Sequence, residues 1–343
     1  MRRFIGSVLV ILCLVAGCSP APGASTPAAT PLPATAAPAP TATPAAALPT
    51  PTVSPWYQPL DPSFAQLQYR YAHVVNPSAR FYLSEQDALQ SSLESKRLPQ
   101  ADAYVAYDRK VTAAGQVLYH LSSGDWMRGA DLQEITPSSF SGVLLTGPPT
   151  ARFGWVLEAA TSVDAAGNPL RDYARYQVVR EDASAPARAG YLAIGSGEYL
   201  PLAALSLLAP GYRPPADVSG CRFVVVDLAR QNLGVYEGCR PVFATLISSG
   251  RPSAWTPTGT FTVFRKTDIS LVTSPFQGGD QYYLQGVTDM AYFYGFWALH
   301  AAYWHDRFGY PASHGCINLS PADAAWLFRW ITVGDRVIVL PKG

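Results

Sequence analysis

A long uncharged segment near the amino terminus limits which part of this chain can fold. Residues 19–55 are almost wholly Pro, Ala, Thr and Ser, with eleven prolines among 37 residues, and no charged residue lies between Arg3 and Asp61. Such a composition cannot bury a core, and its prolines favour an extended conformation that reaches on the order of 100 Å. We therefore predict a disordered tether over residues 18–60 and a folded body after it.

The rest of the chain is rich in core-forming residues and poor in charge. Hydrophobic residues make up 48% of the 343 residues and aromatic residues 12%, whereas charged residues make up 14% and the net charge is +1. The length allows two or three domains, and the composition excludes a wholly disordered chain. The near-neutral charge offers no basic face of the kind that binds nucleic acid.

The amino terminus has the pattern of an export signal. Arg2 and Arg3 precede an apolar run over residues 4–17, which is shorter than the roughly twenty residues that span a bilayer. The run ends in small residues directly before Cys18, which resembles the bacterial lipoprotein signal. The resemblance implies a signal peptide over residues 1–17 and an exported protein, anchored at the cell envelope by a lipid on Cys18 and facing the cell wall. The alternative is an ordinary secretory signal with an incidental cysteine.

Residues 61–215 are predicted to be β-rich. Segments 119–132 and 191–205 share an outline of strand, Gly-acidic turn, aromatic strand and Ala/Leu turn. This repeat resembles bacterial Src-homology-3-like wall-associated modules and predicts two tandem small β-barrels. Such modules often bind peptidoglycan, but Trp126 and Tyr199 could equally be the core aromatics of a spacer domain. The breaker-rich segment 210–215 marks the predicted boundary with the next domain.

The strongest chemical signal lies near the carboxy terminus. Ser313-His-Gly-Cys316-Ile-Asn318 places a cysteine beside glycine on a turn, with His300 upstream. Nucleophilic thiol catalysis needs a cysteine that can become a thiolate, an imidazole that takes its proton and backbone amides at the developing oxyanion. The following Ser-Pro-Ala-Asp at residues 320–323 predicts the start of a helix.

These motifs resemble a known family when they are taken with two β blocks that precede them. The blocks are the hairpin over residues 222–237 and the Thr-Pro-Thr-Gly-Thr-Phe run at residues 256–261. Together they resemble an L,D-transpeptidase catalytic domain, which we place at residues 220–343. The resemblance implies a mainly β chain with a β-sandwich catalytic domain and one helix after the cysteine. It also implies a cysteine acyl-enzyme, peptidoglycan stem peptides as substrates, and no cofactor or metal.

The resemblance assigns a role to each residue of the motif. Cys316 matches the nucleophile and His300 the general base and acid. Asn318 matches a position that lines the pocket, while Tyr303, Trp304 and His305 are predicted to line the substrate cleft. The turn that surrounds the oxyanion and the residue that orients it match His314, Gly315 and Ser313.

Alternatives to these assignments stay open at this point. His314 or His305 could be the base in place of His300, and a backbone carbonyl could be the group that orients His300. Three histidines and a cysteine also raise the question of zinc, but their spacing lacks the paired ligands typical of such sites. We therefore predict no metal.

Two further cysteines flank the predicted hairpin. Cys221 and Cys239 lie at about equal distances along the chain from its turn near Arg230. Cross-strand neighbours come close enough for a disulfide, and an exported protein meets an oxidising environment. We predict a disulfide between them; the alternative is two free buried thiols.

The sequence thus predicts an exported, lipid-anchored L,D-transpeptidase that contributes to cell-wall biogenesis and cell shape. One alternative is an L,D-carboxypeptidase, in which water accepts the acyl group. Another is a non-catalytic wall-binding lipoprotein, although the intact Cys316 and His300 argue against it.

Overall fold

The computed structural model describes residues 56–97, 102–195, 197–208, 212–213, 218, 221–274 and 281–342. Within these ranges the chain is mainly β, which confirms the predicted class. The predicted signal peptide, Cys18 and most of the predicted tether lie outside the described residues. Among the residues that are described, no helix is long and apolar enough to span a membrane.

The amino-terminal half of the described chain forms sixteen strands, one short α-helix and three 3₁₀ helices, at Pro62–Ala65, Gly129–Asp131 and Leu202–Ala204. The helix α1 (Glu85–Gln90) begins at Ser84, whose side chain accepts a hydrogen bond from the amide of Asp87. The strands are β1 (Tyr57–Pro59), β2 (Arg70–Val74), β3 (Arg80–Tyr82), β4 (Glu94–Arg97), β5 (Asp102–Ala113), β6 (Gln116–Leu121), β7 (Trp126–Arg128), β8 (Leu132–Ile135), β9 (Val143–Leu145), β10 (Phe153–Val156), β11 (Ala160–Val163), β12 (Pro169–Tyr173), β13 (Val178–Arg180), β14 (Tyr191–Gly195), β15 (Glu198–Pro201) and β16 (Leu205–Leu208).

The carboxy-terminal part has longer strands and the predicted helix after Cys316. Helix α2 (Pro321–Trp330) begins at Ser320, whose side chain accepts a hydrogen bond from the amide of Asp323, with proline at the first position. The strands are β17 (Phe223–Asp227), β18 (Asn232–Glu237), β19 (Arg240–Leu246), β20 (Gly259–Thr262), β21 (Arg265–Thr273), β22 (Tyr282–Tyr294), β23 (Trp297–Ala301), β24 (Ile317–Leu319) and β25 (Arg336–Leu340).

Two sheets enclose the core of the carboxy-terminal part. One sheet has the strand order β1-β9-β19-β18-β17-β25-β20, and the other contains β22, β23 and β24 side by side. Apolar side chains from both sheets and from α2 form one buried cluster, which includes Val224, Val235, Phe293, Leu299 and Leu327. This sandwich positions the edge strand β24, and with it the turn that precedes it.

Strands of the predicted middle region enter both of these sheets. Val143 of β9 lies opposite Ala244 of β19, and Asp102 of β5 lies opposite Tyr282 of β22. Strands β2, β3, β4, β6, β7 and β8 lie in the same sheet as β5. The remaining middle strands form a three-stranded sheet, β13-β10-β16, and a four-stranded sheet, β12-β11-β15-β14. Residues 51–343 form one compact unit. The domain boundary near residue 215 stays a prediction. Strands before this position pair with strands after it, as β9 does with β19 and β5 with β22.

Candidate active site

Parallel pairing of β23 with β24 brings the predicted base next to the predicted nucleophile turn. His300 lies opposite Asn318 in the register, and Leu299 lies opposite Ile317. Leu299 and Ile317 point into the core cluster. Because side chains alternate along a strand, His300 and Asn318 share the other face. Cys316 directly precedes this strand, two residues before Asn318.

The turn that carries Cys316 is held by its own side chains and by a neighbouring loop. The Ser313 hydroxyl donates to the Cys316 carbonyl oxygen at 2.6 Å, and the Gly315 amide donates to Ser313 Oγ at 2.9 Å. The Thr256 hydroxyl donates to the Gly315 carbonyl oxygen at 2.7 Å and accepts from the Gly250 amide at 2.8 Å. The Gly315 amide is therefore engaged with Ser313, and the turn is anchored from two sides.

Gly315 is required by the geometry of this turn. Its φ of +124° lies in a region that side chains disfavour. A Cβ there would come within 2.7 Å of Trp297 Nε1 and 2.8 Å of the Trp255 carbonyl oxygen. Trp297 Nε1 donates to that same oxygen at 3.1 Å, so moving either group away would break this hydrogen bond.

Cys316 carries a protonated thiol in this arrangement. Its side chain is partly exposed, and Sγ donates to the Phe296 carbonyl oxygen at 3.7 Å. Burial of the thiol raises its pKa to about 11, against the opposing effect of the Ala298 backbone. A neutral thiol is a weak nucleophile, so it needs a base that removes its proton during attack.

His300 is a neutral imidazole with a defined tautomer. Its side chain is 2% exposed, and Nδ1 donates to the carbonyl oxygen of Ala301 at 2.9 Å. Burial lowers its pKa to about 4, opposed by the Ala301 bond and reinforced by the charge of His305. Because the proton sits on Nδ1, the lone pair sits on Nε2, and the orienting group is the backbone carbonyl of Ala301.

Asn318 joins two histidines. Its Nδ2 donates to His300 Nε2 at 3.2 Å, and its Oδ1 accepts from His305 Nε2 at 3.1 Å. The amide and carbonyl of Asn318 are both bonded to Ser248, at 2.9 Å each, so the Asn318 backbone is fixed on the side away from β23. The predicted pocket residue is thus in direct contact with the predicted base.

His314 is placed differently from His300. It is exposed, its ring stacks on Tyr282 with the centroids 4.3 Å apart, and its Nε2 accepts from the guanidinium of Arg251. The His314 lone pair thus accepts from a cation, whereas the His300 lone pair accepts from the neutral amide of Asn318. A lone pair that accepts from a cation is the poorer acceptor for a proton.

Tyr303 and Trp304 differ in their access to the cleft. Tyr303 is 2% exposed, its hydroxyl donates to the Gln285 carbonyl oxygen at 2.5 Å, and its ring stacks on Tyr71 with centroids 3.7 Å apart. Its predicted place in the substrate cleft is therefore corrected: it is a core residue. Trp304 is half-buried, with its ring centroid 6.0 Å from that of His300.

Aromatic residues beside Cys316 were not singled out as site residues from the sequence. Trp255 is 63% exposed, Phe296 is exposed, and both lie next to the turn through Trp297. The sequence signal for Phe296 is the density of aromatic residues within residues 267–297, just before His300. Residues 275–280 of that segment lie outside the described residues.

The structure joins Cys221 and Cys239 in a disulfide across the open end of the β17–β18 hairpin. Their Cα atoms are 4.7 Å apart, and the Cys239 amide donates to the Cys221 carbonyl oxygen at 3.3 Å. Cys316 is the free cysteine among the described residues. The thiol assigned to catalysis is thus separate from the structural pair.

Comparison with known proteins finds similar sequences for the part of the chain that carries this site. Residues 222–339 match the YkuD family model, described as the L,D-transpeptidase catalytic domain. L,D-transpeptidase 1 of Mycobacterium tuberculosis is 37% identical over 100 residues, which cover 27% of this chain and 40% of that protein. Probable L,D-transpeptidase 3 of the same organism is 35% identical over 108 residues, which cover 27% of this chain and 36% of that protein. The chain thus spans about two-fifths of the length of these relatives.

Solved structures of similar chains were also found. The catalytic domain of the Enterococcus faecium L,D-transpeptidase acylated by ertapenem is 26% identical, covering 36% of this chain and 99% of that chain, with a TM-score of 0.33. An L,D-transpeptidase from Mycobacterium smegmatis is 24% identical, covering 59% and 100%, with a TM-score of 0.33. Residues 222–339 are thus similar to the YkuD family of L,D-transpeptidase catalytic domains.

Proposed function

We propose that this protein is an exported peptidoglycan L,D-transpeptidase that cross-links stem peptides through an acyl-enzyme on Cys316. One observation carries the proposal. The Nδ1 of His300 donates to the Ala301 carbonyl oxygen at 2.9 Å, so the base lone pair is on Nε2, and His300 lies opposite Asn318, two residues after Cys316. That lone pair accepts from Asn318 Nδ2 at 3.2 Å, so the Asn318 amide must yield when the thiol proton arrives. A neutral base and a protonated thiol are the pair that general-base attack requires.

The first half-reaction forms a thioester. As Sγ of Cys316 attacks the carbonyl after an L-centre in a donor stem tetrapeptide, the Asn318 amide gives up its bond to His300 Nε2, and Nε2 takes the thiol proton. The carbonyl oxygen becomes an oxyanion beside the turn. Because the Gly315 amide is bonded to Ser313 Oγ, we assign the Cys316 amide as an oxyanion donor. When the C–N bond breaks, the proton on His300 moves to the leaving amine of the terminal D-residue.

The second half-reaction runs the same proton path in reverse. An amine on a neighbouring stem attacks the thioester, and His300 takes one of its protons. The C–S bond then breaks, the proton returns to Sγ, and a peptide cross-link is released. Splitting the exchange in two lets one residue pair serve both steps. Attack by water in place of the amine would give a shortened tripeptide.

The test is product analysis. The full chain is incubated with a disaccharide-tetrapeptide, and the products are identified by mass spectrometry, with Cys316→Ala as the control. A cross-linked dimer that requires Cys316 supports the proposal. Tripeptide alone would replace transfer by hydrolysis. No product, and no covalent adduct with ertapenem, would remove the catalytic function.

We further propose that the lipid anchor on Cys18 attaches the body to a cell-envelope membrane, with the tether extending toward the wall. The support is the sequence pattern before Cys18, since these residues lie outside the described ones. Labelling cells with an alkyne fatty acid tests the anchor. We expect label on the wild-type protein and none on Cys18→Ala, whereas equal labelling of both would exclude Cys18.

A further inference from the structure

A chain of hydrogen bonds runs through the site from one backbone group to another. The Arg307 amide donates to Nδ1 of His305 at 3.2 Å, and His305 Nε2 lies 3.1 Å from Asn318 Oδ1. Asn318 Nδ2 lies 3.2 Å from His300 Nε2, and His300 Nδ1 lies 2.9 Å from the Ala301 carbonyl oxygen. Four bonds thus connect Arg307 to Ala301 through three side chains.

The two ends of this chain fix its direction. A backbone amide can only donate, so His305 Nδ1 must accept and His305 Nε2 must carry the proton that goes to Asn318 Oδ1. A backbone carbonyl can only accept, so His300 Nδ1 must donate and His300 Nε2 must accept from Asn318 Nδ2. Both ends give the same orientation for the Asn318 amide.

We propose that His305 is a positioning residue: through Asn318 it holds an amide N–H against Nε2 of His300 and so opposes protonation of the base. The proposal deepens the proposed transpeptidase function and rests on it for its role in catalysis. It replaces the predicted role of His305 as a substrate contact.

The physical reason is that a protonated His300 has no acceptor in this network. A proton on Nε2 would face the N–H of Asn318. If Asn318 turned its amide over to accept that proton, its N–H would face the N–H of His305 instead. The proton from Cys316 therefore reaches Nε2 only by displacing the Asn318 N–H. Because it finds no acceptor in the network, it passes on to the leaving amine, and the Asn318 N–H returns to Nε2.

The neighbouring groups agree with a neutral pair of imidazoles. Burial lowers the pKa of His305, opposed by its bond to Asn318 and by Asp306, while the charge of Arg307 lowers it further. On His300 burial acts in the same direction, and protonation of His305 would lower the pKa of His300 further. Asp306 and Arg307 act on His305, and Cys316 acts on Tyr282.

The loop that carries His305 is itself held by the middle region. Arg175 Nη1 lies 2.9 Å from Asp306 Oδ2, and the Tyr176 hydroxyl lies 3.0 Å from Asp306 Oδ1. On the other side the ring of Tyr303 stacks on Tyr71. These contacts fix the backbone on both sides of His305, so the Asn318 amide is oriented by a rigid partner.

Two variants separate orientation of the amide from the charge of His305. His305→Phe removes the donor to Asn318 Oδ1, whereas His305→Gln removes the titratable ring but keeps an amide N–H near the position of Nε2. In the full chain, His300 is titrated by nitrogen-15 NMR, and the rate of Cys316 acylation by ertapenem is followed against pH. In His305→Phe we expect the pKa of His300 to rise by about one unit or more, which is a tenfold change in its protonation equilibrium. The acid limb of the plot of acylation rate against pH should move upward by the same amount. His305→Gln should leave both close to wild type.

Three outcomes would overturn the proposal. His300 could titrate at the same pH in wild type and His305→Phe, or His305→Gln could shift it as far as His305→Phe does. If His305→Phe does not fold, the tautomers of the wild type are assigned by nitrogen-15 NMR instead. The network requires neutral His300 to carry its proton on Nδ1 and neutral His305 to carry its proton on Nε2. Any other assignment refutes the network. These NMR readouts do not require activity, so a wild type that ertapenem fails to acylate refutes the proposed function separately.

Discussion

The Asp323 carboxylate, in the first turn of α2, accepts a 2.7 Å hydrogen bond from the amide of Gly142, 181 positions earlier in the chain. Asp323 is fully buried, and its second oxygen contacts the hydroxyl of Thr245. Burial raises the pKa of the carboxyl to about 7, against the bonds from Thr245, Gly142 and Ser320. The Thr245 hydroxyl also lies 3.1 Å from the Leu246 carbonyl oxygen, so it can donate there and accept from a protonated Asp323.

This buried acid predicts a pH dependence of stability. The pKa of Asp323 in the fold, about 7, lies above its ordinary value of 3.8, so the folded state binds this proton more tightly than the unfolded state. Its contribution is complete below about pH 4 and is lost as the pH rises through about 7. A pKa difference of about three units corresponds to a contribution of at most about 4 kcal/mol to the free energy of unfolding.

Asp323→Asn isolates that contribution, because asparagine can accept from Gly142 and donate to Thr245 at every pH. We expect the free energy of unfolding of the wild type, measured relative to this variant by urea denaturation, to fall between pH 4 and pH 7. If the free energies of unfolding of the two proteins change in parallel with pH over that range, the assignment is contradicted.

The nucleophile is tested by covalent labelling. Cys316→Ala should abolish the ertapenem adduct in intact-mass spectra, because the described residues offer no other free thiol. Since the Cys316 thiol has a pKa raised to about 11, acylation should need its base partner rather than a preformed thiolate. An adduct that persists on the alanine variant would remove Cys316 from its proposed role.

The base is tested by comparing two histidines. His300→Ala should slow acylation of Cys316 by about 10²- to 10⁴-fold, the usual contribution of a general base. His314→Ala should slow it much less, because the His314 ring accepts from Arg251 and lies outside the buried network. Stopped-flow measurement with ertapenem compares the two rates. If His314→Ala is inactive while folded and His300→Ala is not, the two roles are exchanged.

The middle region should contribute to catalysis through Asp306. Arg175→Ala removes the 2.9 Å ion pair to Asp306 and loosens the loop that carries His305, so we expect slower acylation by several-fold. The partly exposed pair should contribute only about 0–1 kcal/mol to stability. Arg171→Ala is the matched control, since it breaks a 2.8 Å pair with Glu198 within the four-stranded sheet β12-β11-β15-β14. Equal acylation rates for the two variants would show that the Arg175 contact has no catalytic effect.

The disulfide should stabilise the hairpin beside the catalytic sheet. Cys221 and Cys239 are 18 residues apart, and closing a loop of that length contributes about 3 kcal/mol by chain-entropy estimates. The double variant Cys221→Ser, Cys239→Ser should lower the free energy of unfolding by about that amount. Non-reducing peptide mapping should link Cys221 to Cys239 and leave Cys316 alkylatable. A peptide that joins Cys316 to either partner would refute the pairing.

Much of the site could be predicted from short-range patterns. Three features depend on residues that are close together in the chain: the Gly-Cys turn, the helix cap at Ser320 with Pro321 after it, and the hairpin β17–β18. Short sequence motifs therefore predict them. The family match over residues 222–339 agrees with that part of the prediction. Tyr303 was misplaced because an aromatic residue beside a catalytic motif looks the same whether it lines a cleft or fills a core.

The remaining relationships depend on contacts between distant segments. The amino-acid sequence by itself determined which residues could supply a nucleophile, a base and a capped helix. Only the tertiary structure decided that Ala301 orients His300, that Asn318 lies between His300 and His305, and that Arg175 holds the loop. The reason is physical: a histidine's tautomer is set by the partners of its two nitrogens, and those partners are brought together by parallel strand pairing and by packing of the middle region.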